Sequence, residues 1–161
     1  MELPSNLIEQ GFSLNRVDPQ DFPAYFTLKR ESFTVYVNEH YGGWFDDDQE
    51  ARNRATFEES LHLTCFNKVM LAGKIVGFFT YNVAPAEINS MLIMLLPAVQ
   101  RQGIGAAYLQ EVTAHANVLN LPAVLKVFRT NPAIRLYQRH GFIAYDKTPS
   151  HILMRYTPLI S

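Results

Sequence analysis

The sequence predicts an α/β domain built around one mixed β-sheet with helices packed on it. The spacing of apolar residues alternates between strand and helix periods, in the order β, α, α, β, β, β, α, β, α, β, β. The chain has 161 residues, of which 48% are hydrophobic and 18% are charged. This composition supports one core of ordinary size, so we expect a single domain over residues 1–161.

The first half of the chain is predicted to hold a strand, two helices and a hairpin. Residues 12–17 are typical of a short strand, and a helix is expected to start at Asp21, because Pro23 suits a first helical turn. The acids at 46–48 begin a second helix, where negative charge suits the helix dipole. A period of two then returns, with Gly73 in the turn of a hairpin.

The second half is predicted to alternate strands and helices before a closing hairpin. The strand over 86–95 ends in a continuous apolar run, which indicates burial on both faces, and Pro97 ends it. The remaining elements are a helix over 103–120, a strand over 123–128, a short helix over 132–140 and a hairpin over 142–156.

Composition excludes several classes of function. A formal net charge of −1 leaves no basic field for the phosphates of a nucleic acid. Cys65 is the only cysteine, which excludes an intrachain disulfide, and no His or acid cluster has metal-ligand spacing, so no metal is expected. The first residues do not resemble a secretory signal, and the apolar run over 91–96 is too short to span a membrane. We therefore expect a cytoplasmic protein with no nucleic-acid or membrane partner.

Three interpretations compete for the glycines of residues 100–105. One is a tight turn between a strand and a helix. Another is a Rossmann turn, but its G-x-G-x-x-G/A pattern requires a small residue where Tyr108 stands. The third is a P-loop, but Ala106 follows Gly105 where that motif needs lysine. Bare backbone N–H groups at a helix start still attract an anion, and Arg101 adds a full charge, so we expect a pyrophosphate cradle of another type.

Two motifs identify a family. The pattern Pro97-x-x-Gln100-x-x-Gly103-x-Gly105 resembles the acetyl-coenzyme A signature of the GNAT acetyltransferase superfamily, whose core is Q/R-x-x-G-x-G/A. Residues 131–142, NPAIRLYQRHGF, are similar to the later family segment in which N-P-A is followed by L-Y and then G-F. The resemblance implies a GNAT fold whose sheet splays between the fourth and fifth strands. It also implies N-acetyl transfer from acetyl-coenzyme A to an amine acceptor by direct attack in a ternary complex.

The resemblance also implies where acetyl-coenzyme A would bind. The pyrophosphate would lie on the backbone of Arg101, Gln102, Gly103, Ile104, Gly105 and Ala106. The pantetheine arm would pair with the backbone of Ile93, Met94 and Leu95, with Pro97 allowing the strands to separate. Asn131 would contact the cofactor or cap the helix that follows it.

Catalysis requires an acid for the leaving sulfur and a base for the amine. The tyrosine of the L-Y pair, Tyr137, is the implied general acid, although it could instead be a packing residue. Asn89 occupies the position where histone-type relatives carry a basic glutamate, and asparagine cannot act as a base. Glu87 lies two residues earlier, on the same strand face by the period of two, and is the candidate base, or else an exposed acid at a strand start. His40 and His115 are weaker candidates.

The segment over 37–49 is expected to form a wall of the acceptor site. Tyr41, Trp44 and Phe45 would supply aromatic surface and the acids at 46–48 negative charge, a combination that suits a cationic amine. The alternative is a solvated acidic helix start with Trp44 packed into the core.

Three alternatives to acetyl transfer stay open from sequence alone. They are a non-catalytic acyl-coenzyme A binding or sensing domain, a transferase of a different acyl group, and a nucleotide-binding module of another fold. The closing hairpin offers an edge through which a homodimer could form, but no residue decides this.

Overall fold

A computed structural model, which describes residues 1–159, contains seven strands and five helices in those residues. The helices are α1 (Ser5–Glu9), α2 (Phe22–Tyr41), α3 (Asp46–Ser60), α4 (Ile104–Leu119) and α5 (Ile134–Arg139). The strands are β1 (Phe12–Arg16), β2 (Cys65–Leu71), β3 (Lys74–Val83), β4 (Ile88–Leu95), β5 (Ala123–Phe128), β6 (Ile143–Lys147) and β7 (His151–Tyr156). Within residues 1–159, no helix combines the length and the apolar character needed to cross a membrane.

The strands form one mixed sheet in the order β1-β2-β3-β4-β5-β7-β6. All neighbours are antiparallel except β4 and β5, which are parallel. These two strands share a single register pair, Ile88 with Ala123, while β3 and β4 pair along most of their length. The sheet therefore opens between the fourth and fifth strands, and both the mixed α/β fold and this splay are confirmed.

The predicted order of elements is confirmed, with one helix missed and one cap misassigned. The missed helix is α1, whose five residues are too few for a periodic signal. Asp21 does stand at the start of α2, but its side chain does not cap that helix. Its carboxylate accepts hydrogen bonds from the Asp18 N–H at 2.9 Å and from Lys68 Nζ at 2.7 Å. Asp18 caps a short 3₁₀ turn that leads into α2.

Two apolar clusters lie on the two faces of the sheet. On one face α4 packs with Ile104, Tyr108, Val112 and Ala116 buried, as the sequence predicts for one side of this helix. On the other face α2 and α3 cover an aromatic cluster that includes Tyr25, with Phe22, Phe57, Phe66 and Phe78 around it. We call these the α4 face and the α2 face.

A β-bulge in β4 changes which side chains reach each face. Thr80 lies opposite Leu92 and Asn82 opposite Asn89, so β4 carries one residue more than β3 between these pairs. The extra residue lies at Ser90, which has φ 53°. As a result, side chains before and after the bulge no longer follow a single period of two.

The prediction that the apolar end of β4 is buried on both faces is wrong. Met94 is buried, but Met91, Leu92 and Ile93 are only half-buried. The reason is that β5 diverges from β4 after Ile88, so no strand covers that edge.

Gly77 permits the close pairing of β3 and β4, and its replacement by alanine is expected to destabilise the protein. A Cβ at this position would lie 2.8 Å from the Met94 carbonyl oxygen and 2.5 Å from Leu95 Cδ2. We expect Gly77→Ala to lower the free energy of unfolding by about 1–3 kcal/mol, measured by urea denaturation. The loss of stability caused by Gly77→Ala should persist when Leu95 is also replaced by alanine, because the Met94 carbonyl belongs to the backbone and stays in place. Its disappearance there would contradict the expectation and assign the clash to the leucine side chain.

Candidate active site

The loop before α4 presents a row of free backbone donors. Arg101 and Gly103 have left-handed φ values of 62° and 94°, which turn the chain into the helix. The Ala107 N–H is the first to bond within this turn, to the Gly103 oxygen at 3.0 Å. The six preceding N–H groups, of residues 101–106, have no protein acceptor among the described residues. This set of residues, which we call the cradle, therefore fits the pyrophosphate of a coenzyme A molecule.

The two glycines of the cradle have different roles. No atom lies within 4 Å of the position that a Cβ on Gly103 would take, so the space beside it is open to a ligand. A Cβ on Gly105 would instead lie 3.0 Å from Leu136 Cδ2 and 3.6 Å from Ile93 Cδ1. Gly105 thus lets α4 approach α5 and β4 closely, while its N–H still belongs to the cradle.

Gln100 connects the cradle to the open edge of β4. Its Nε2 donates to the Leu95 carbonyl at 3.0 Å, and Gln102 Nε2 donates to the Ala98 carbonyl at 3.2 Å. Beyond Ile88, β4 has no register partner on β5. The backbone of Ile93, Met94 and Leu95 therefore borders the gap in which an extended arm could lie.

A cavity of about 320 Å³ extends through this gap in the sheet. The α2 face contributes Phe33, Val37 and Trp44, and α5 contributes Tyr137. The complete lining is Lys29, Phe33, Val37, Tyr41, Trp44, Gln49, Met91, Leu92, Ile93, Lys126, Val127, Phe128, Asn131, Tyr137 and His151. Groups from both faces of the sheet thus meet in one space.

Tyr137 lies in this cavity with its side chain 9% exposed. Its hydroxyl has no hydrogen-bond partner among residues 1–159. Burial, with a smaller contribution from Tyr36, raises the pKa of Tyr137 to about 12. The phenol is therefore neutral near pH 7 and can donate its proton to a ligand.

Asn131 lies in the cavity and also stabilises the turn before α5. Its Oδ1 accepts from the Ala133 N–H at 2.9 Å, which closes the turn before the helix, but Ala133 itself is the N-cap residue of α5 and no side chain caps that helix. The structure thus brings Asn131, Tyr137 and Ile93 together around one space.

Glu87 lies elsewhere. It precedes β4 and lines a second cavity together with Arg155 and Val124, whereas Tyr137 lines the first. Glu87 and Asn89 both precede the bulge at Ser90, so the alternation of side chains that places them on one face does not continue to residues 93–95. The structure does not bring Glu87 and Tyr137 together.

The two histidines considered from sequence are also engaged elsewhere. His40 stacks on Phe128 at 5.5 Å between ring centroids, and its Nε2 lies 3.7 Å from the Glu39 carboxylate. His115 lies 3.0 Å from the Glu111 carboxylate on α4. Neither lines the cavity that holds the Tyr137 hydroxyl.

His151, which sequence reasoning missed, does line that cavity. Its Nδ1 lies 2.7 Å from Ser150 Oγ, and Ser150 Oγ lies 3.0 Å from the Tyr41 hydroxyl. Its ring packs against Phe128 at 4.2 Å. Burial, followed by the charges of Lys126 and His40, lowers the pKa of His151 below its ordinary value, so the ring is neutral near pH 7. No local motif marks this residue, because it reaches the cavity only through the β5–β7 pairing.

The predicted wall of the acceptor site is aromatic but not acidic. Tyr41 and Trp44 line the cavity, while Phe45 is 67% exposed and does not. Asp46 accepts a hydrogen bond from Trp44 Nε1 at 2.7 Å and pairs with Arg30 at 3.2 Å. None of the lining residues is Asp or Glu, so the expected negative rim is wrong at this cavity. The sequence cannot show that Asp46 pairs with Arg30 of α2, or that Asp48 pairs with Arg52 within α3.

Two lysines in the cavity were also missed. Lys29 comes from α2 and Lys126 from β5. In the described residues, no group of three or more His, Cys, Asp or Glu side chains is placed to hold a metal ion.

Comparison with known proteins agrees with this geometry. A sequence-family model described as the acetyltransferase (GNAT) family matches residues 23–142. No curated protein sequence matches the chain significantly.

Several solved structures are similar in fold. The PaiA N-acetyltransferase from Thermoplasma acidophilum, solved in complex with coenzyme A, has a TM-score of 0.72 and 16% identity, covering 91% of this chain and 99% of that one. The ribosomal-protein-S18-alanine N-acetyltransferase from Escherichia coli has a TM-score of 0.64 and 21% identity, with 93% and 96% coverage. Ard1 from Thermoplasma volcanium has a TM-score of 0.64 and 19% identity, with 93% and 99% coverage. At these identities the similarity concerns the fold.

Proposed function

Because the chain belongs to the GNAT acetyltransferase family, we propose that it transfers an acetyl group to an amine by direct attack within the cavity between β4 and β5. Acetyl transfer from acetyl-coenzyme A is the activity of the family. The main evidence for the proposal is that two features lie close together beside β4. Free backbone donors lie beside its end, and a cavity containing an unpartnered phenol opens along its edge.

The cradle and the open edge of β4 are proposed to hold the cosubstrate. The N–H groups of residues 101–106 would bind the pyrophosphate, and the backbone of 93–95 would pair with the pantetheine arm. Asn131 would position the arm from the far side of the gap. Bound acetyl-coenzyme A supplies a thioester whose carbonyl carbon can accept the amine.

Tyr137 is proposed to stabilise the leaving sulfur by donating a hydrogen bond. A pKa of about 12 lies well above the ordinary thiol value of about 8.5, so the phenol keeps its proton while the thiolate forms. The proton that neutralises the thiolate then comes from the ammonium produced by the attack, through the base and solvent. This role needs the hydroxyl near the sulfur but does not need an ionised tyrosinate.

His151 is proposed as the base that receives the amine proton. Its Nδ1 is occupied by Ser150 Oγ, which leaves Nε2 for a ligand in the cavity. The ring is neutral near pH 7, as a base must be. This assignment replaces the one that the sequence suggested for Glu87.

Replacing His151 with glutamine is expected to lower kcat about 100-fold with little change in coenzyme A binding. In the unmodified protein kcat should fall as the pH drops through the lowered pKa of His151, because the protonated ring cannot accept a proton. The pH dependence of kcat measures this, and the acidic limb should disappear in the variant. Ser150→Ala serves as a positioning control with a smaller loss. An unchanged acidic limb in His151→Gln would remove His151 from this role.

The first test of the proposed function is thermal stability with acetyl-coenzyme A, coenzyme A, NAD and ATP in parallel. A ligand at about one hundred times its dissociation constant adds about 2.7 kcal/mol to stability. Stabilisation by the two coenzyme A forms alone is expected. Stabilisation by NAD or ATP alone would mean that the cradle holds a different nucleotide and would overturn the proposal.

Three expectations from the sequence stay predictions within this proposal. They are a single domain over residues 1–161, a cytoplasmic location and a homodimer. The exposed strand β6, at one edge of the sheet, offers the surface for pairing two copies.

A further inference from the structure

Lys29 and Lys126 bring positive charge into the cavity without an acidic counterpart. Among residues 1–159, neither ammonium lies within 4.0 Å of a carboxylate, whereas Lys68, for example, pairs with two aspartates. The Lys29 ammonium lies over the Phe33 ring, 4.5 Å from its centroid. Of the acids in the neighbouring loop, Asp46 is paired with Arg30 and accepts a hydrogen bond from Trp44.

Placing two cations around one cavity is unfavourable unless a ligand compensates them. Burial, and then the charge of Lys126, lowers the pKa of Lys29 to about 8, so this lysine still carries its proton for most of the time at pH 7. Desolvating an unpaired ammonium disfavours folding, because water is only partly replaced. Lys126 is exposed, so the desolvation cost concerns Lys29, and an anion between the two side chains would offset both that cost and the repulsion between the two charges.

Both lysines lie on the α2 face of the sheet. Leu125 and Val127 of β5 pack into the cluster on the α4 face, so the alternating residues Lys126 and Phe128 point to the other side. Phe128 confirms this direction, because its ring stacks on Tyr36 of α2 at 5.1 Å.

The cradle lies on the opposite face. It leads into α4, and Gly105 packs beside Leu136 of α5. The phosphates of a cosubstrate held there would be separated by the sheet from Lys29 and Lys126. An anion bound by these lysines therefore belongs to the acceptor.

We propose that the acceptor is a compact primary amine that also carries a carboxylate or phosphate group, held between Lys29 and Lys126. This inference rests on the proposed function and specifies its substrate class. The cavity of about 320 Å³ is shared with the thioester end of the cosubstrate, which limits the acceptor to a compact molecule, and its aromatic walls, Tyr41 and Trp44, would flank the molecule's carbon skeleton.

The reaction with such an acceptor is balanced without a further reactant. The amine nitrogen forms a bond to the thioester carbonyl carbon, and the bond between that carbon and sulfur breaks. One amine proton is transferred, through the base and solvent, to the sulfur. The products are the N-acetylated acid and free coenzyme A.

The test compares amines of equal size and different charge. Release of free coenzyme A thiol is measured with a series of amino acids and aminoalkyl phosphates, with the amides of the same amino acids, with diamines of matched length, and with acidic and basic peptides. We expect at least one small anionic amine to exceed its neutral counterpart 10- to 100-fold in kcat/KM. Comparable or better use of the amides or diamines would overturn the inference while leaving acetyl transfer intact. Preference for an acidic peptide over every small anion would also overturn it.

Variants at the two lysines test whether these residues cause the preference for an anionic amine. Lys126→Met and Lys29→Met should each lower kcat/KM for the anionic amine 10- to 100-fold and leave the amide unchanged. Lys74→Met, at an exposed lysine in the β2–β3 hairpin, is the matched control and should change neither. The dissociation constant of coenzyme A should stay constant in all three variants. Equal losses for the charged and neutral amines, or weaker coenzyme A binding, would overturn the assignment of the anion to the acceptor.

A binding measurement separates this inference from the proposed function. Thermal stability is measured in the presence of coenzyme A. N-acetylated amino acids are added in one series, and the amides of the same compounds in a parallel series. Stabilisation by the charged series alone, lost in Lys126→Met, supports the anion site even if no amine in the series is acetylated. Absence of acetylation with every amine would count against the proposed function. Equal stabilisation by both series, or none by either, would overturn the anion site.

Discussion

Replacing Gly103 with valine is expected to raise the dissociation constant of acetyl-coenzyme A by at least about 100-fold. The side chain would enter the open space beside the cradle, where no protein atom now lies within 4 Å. The backbone there has φ 94°, which a β-branched residue adopts only with strain, so the free N–H groups of 101–106 would also lose their alignment. Losing several charge-assisted hydrogen bonds to a pyrophosphate accounts for a change of this size. Isothermal titration with coenzyme A measures it.

The control for this variant has to reproduce its strain without affecting the cradle. Gly73, in the β2–β3 turn, has φ 77° and equally open surroundings. Gly73→Val should therefore lower stability by a similar amount, about 1–3 kcal/mol, and leave the dissociation constant of coenzyme A unchanged. If Gly103→Val binds coenzyme A as well as Gly73→Val does, the cradle does not hold the pyrophosphate.

Replacing Tyr137 with phenylalanine is expected to slow turnover by about 10- to 1000-fold, with nearly unchanged binding of acetyl-coenzyme A. The ring keeps its packing against Phe142, at 6.2 Å between centroids, and only the hydroxyl in the cavity is lost. Among the described residues the tyrosine hydroxyls that form hydrogen bonds are those of Tyr41, Tyr108 and Tyr156, so removing the Tyr137 hydroxyl leaves no protein group unpaired. Single-turnover kinetics and a binding titration measure the two quantities separately.

Tyr25→Phe is the matched control for the loss of a buried hydroxyl. The Tyr25 hydroxyl is buried and unpartnered, but it lies in the aromatic cluster of the α2 face. Its removal should leave turnover unchanged and stability equal or slightly higher. Full activity of Tyr137→Phe would remove this hydroxyl from the proposed stabilisation of the leaving sulfur.

The sequence predicted the part of the site that depends on backbone geometry within one segment. The cradle is such a feature, because glycine at position 103 and a helix beginning at position 104 together determine which N–H groups remain free. The groups that form the cradle lie within a few residues of each other.

The base could not be predicted in the same way. The period of two that placed Glu87 on the face of Asn89 does not extend past Ser90, where one added residue reverses the alternation before residues 93–95. Nothing in the local composition of 87–92 demands a bulge. His151, the alternative candidate, lies at the start of β7, and it reaches the cavity because β7 pairs with β5 inside the sheet.

The sequence alone determined the α/β class, the order of the elements from β1 onward and the segment that resembles a coenzyme A signature. Apolar periodicity, glycine and proline act over short distances, so these features are encoded where they occur. Only the tertiary structure decided the charge of the acceptor cavity. Lys29 and Lys126 are 97 positions apart in the numbering. They line the same cavity because α2 packs beside the edge of β4 that β5 leaves unpaired. Asp46, close to the cavity in sequence, is held by Arg30, since a carboxylate is stabilised by the nearest cation that packing provides.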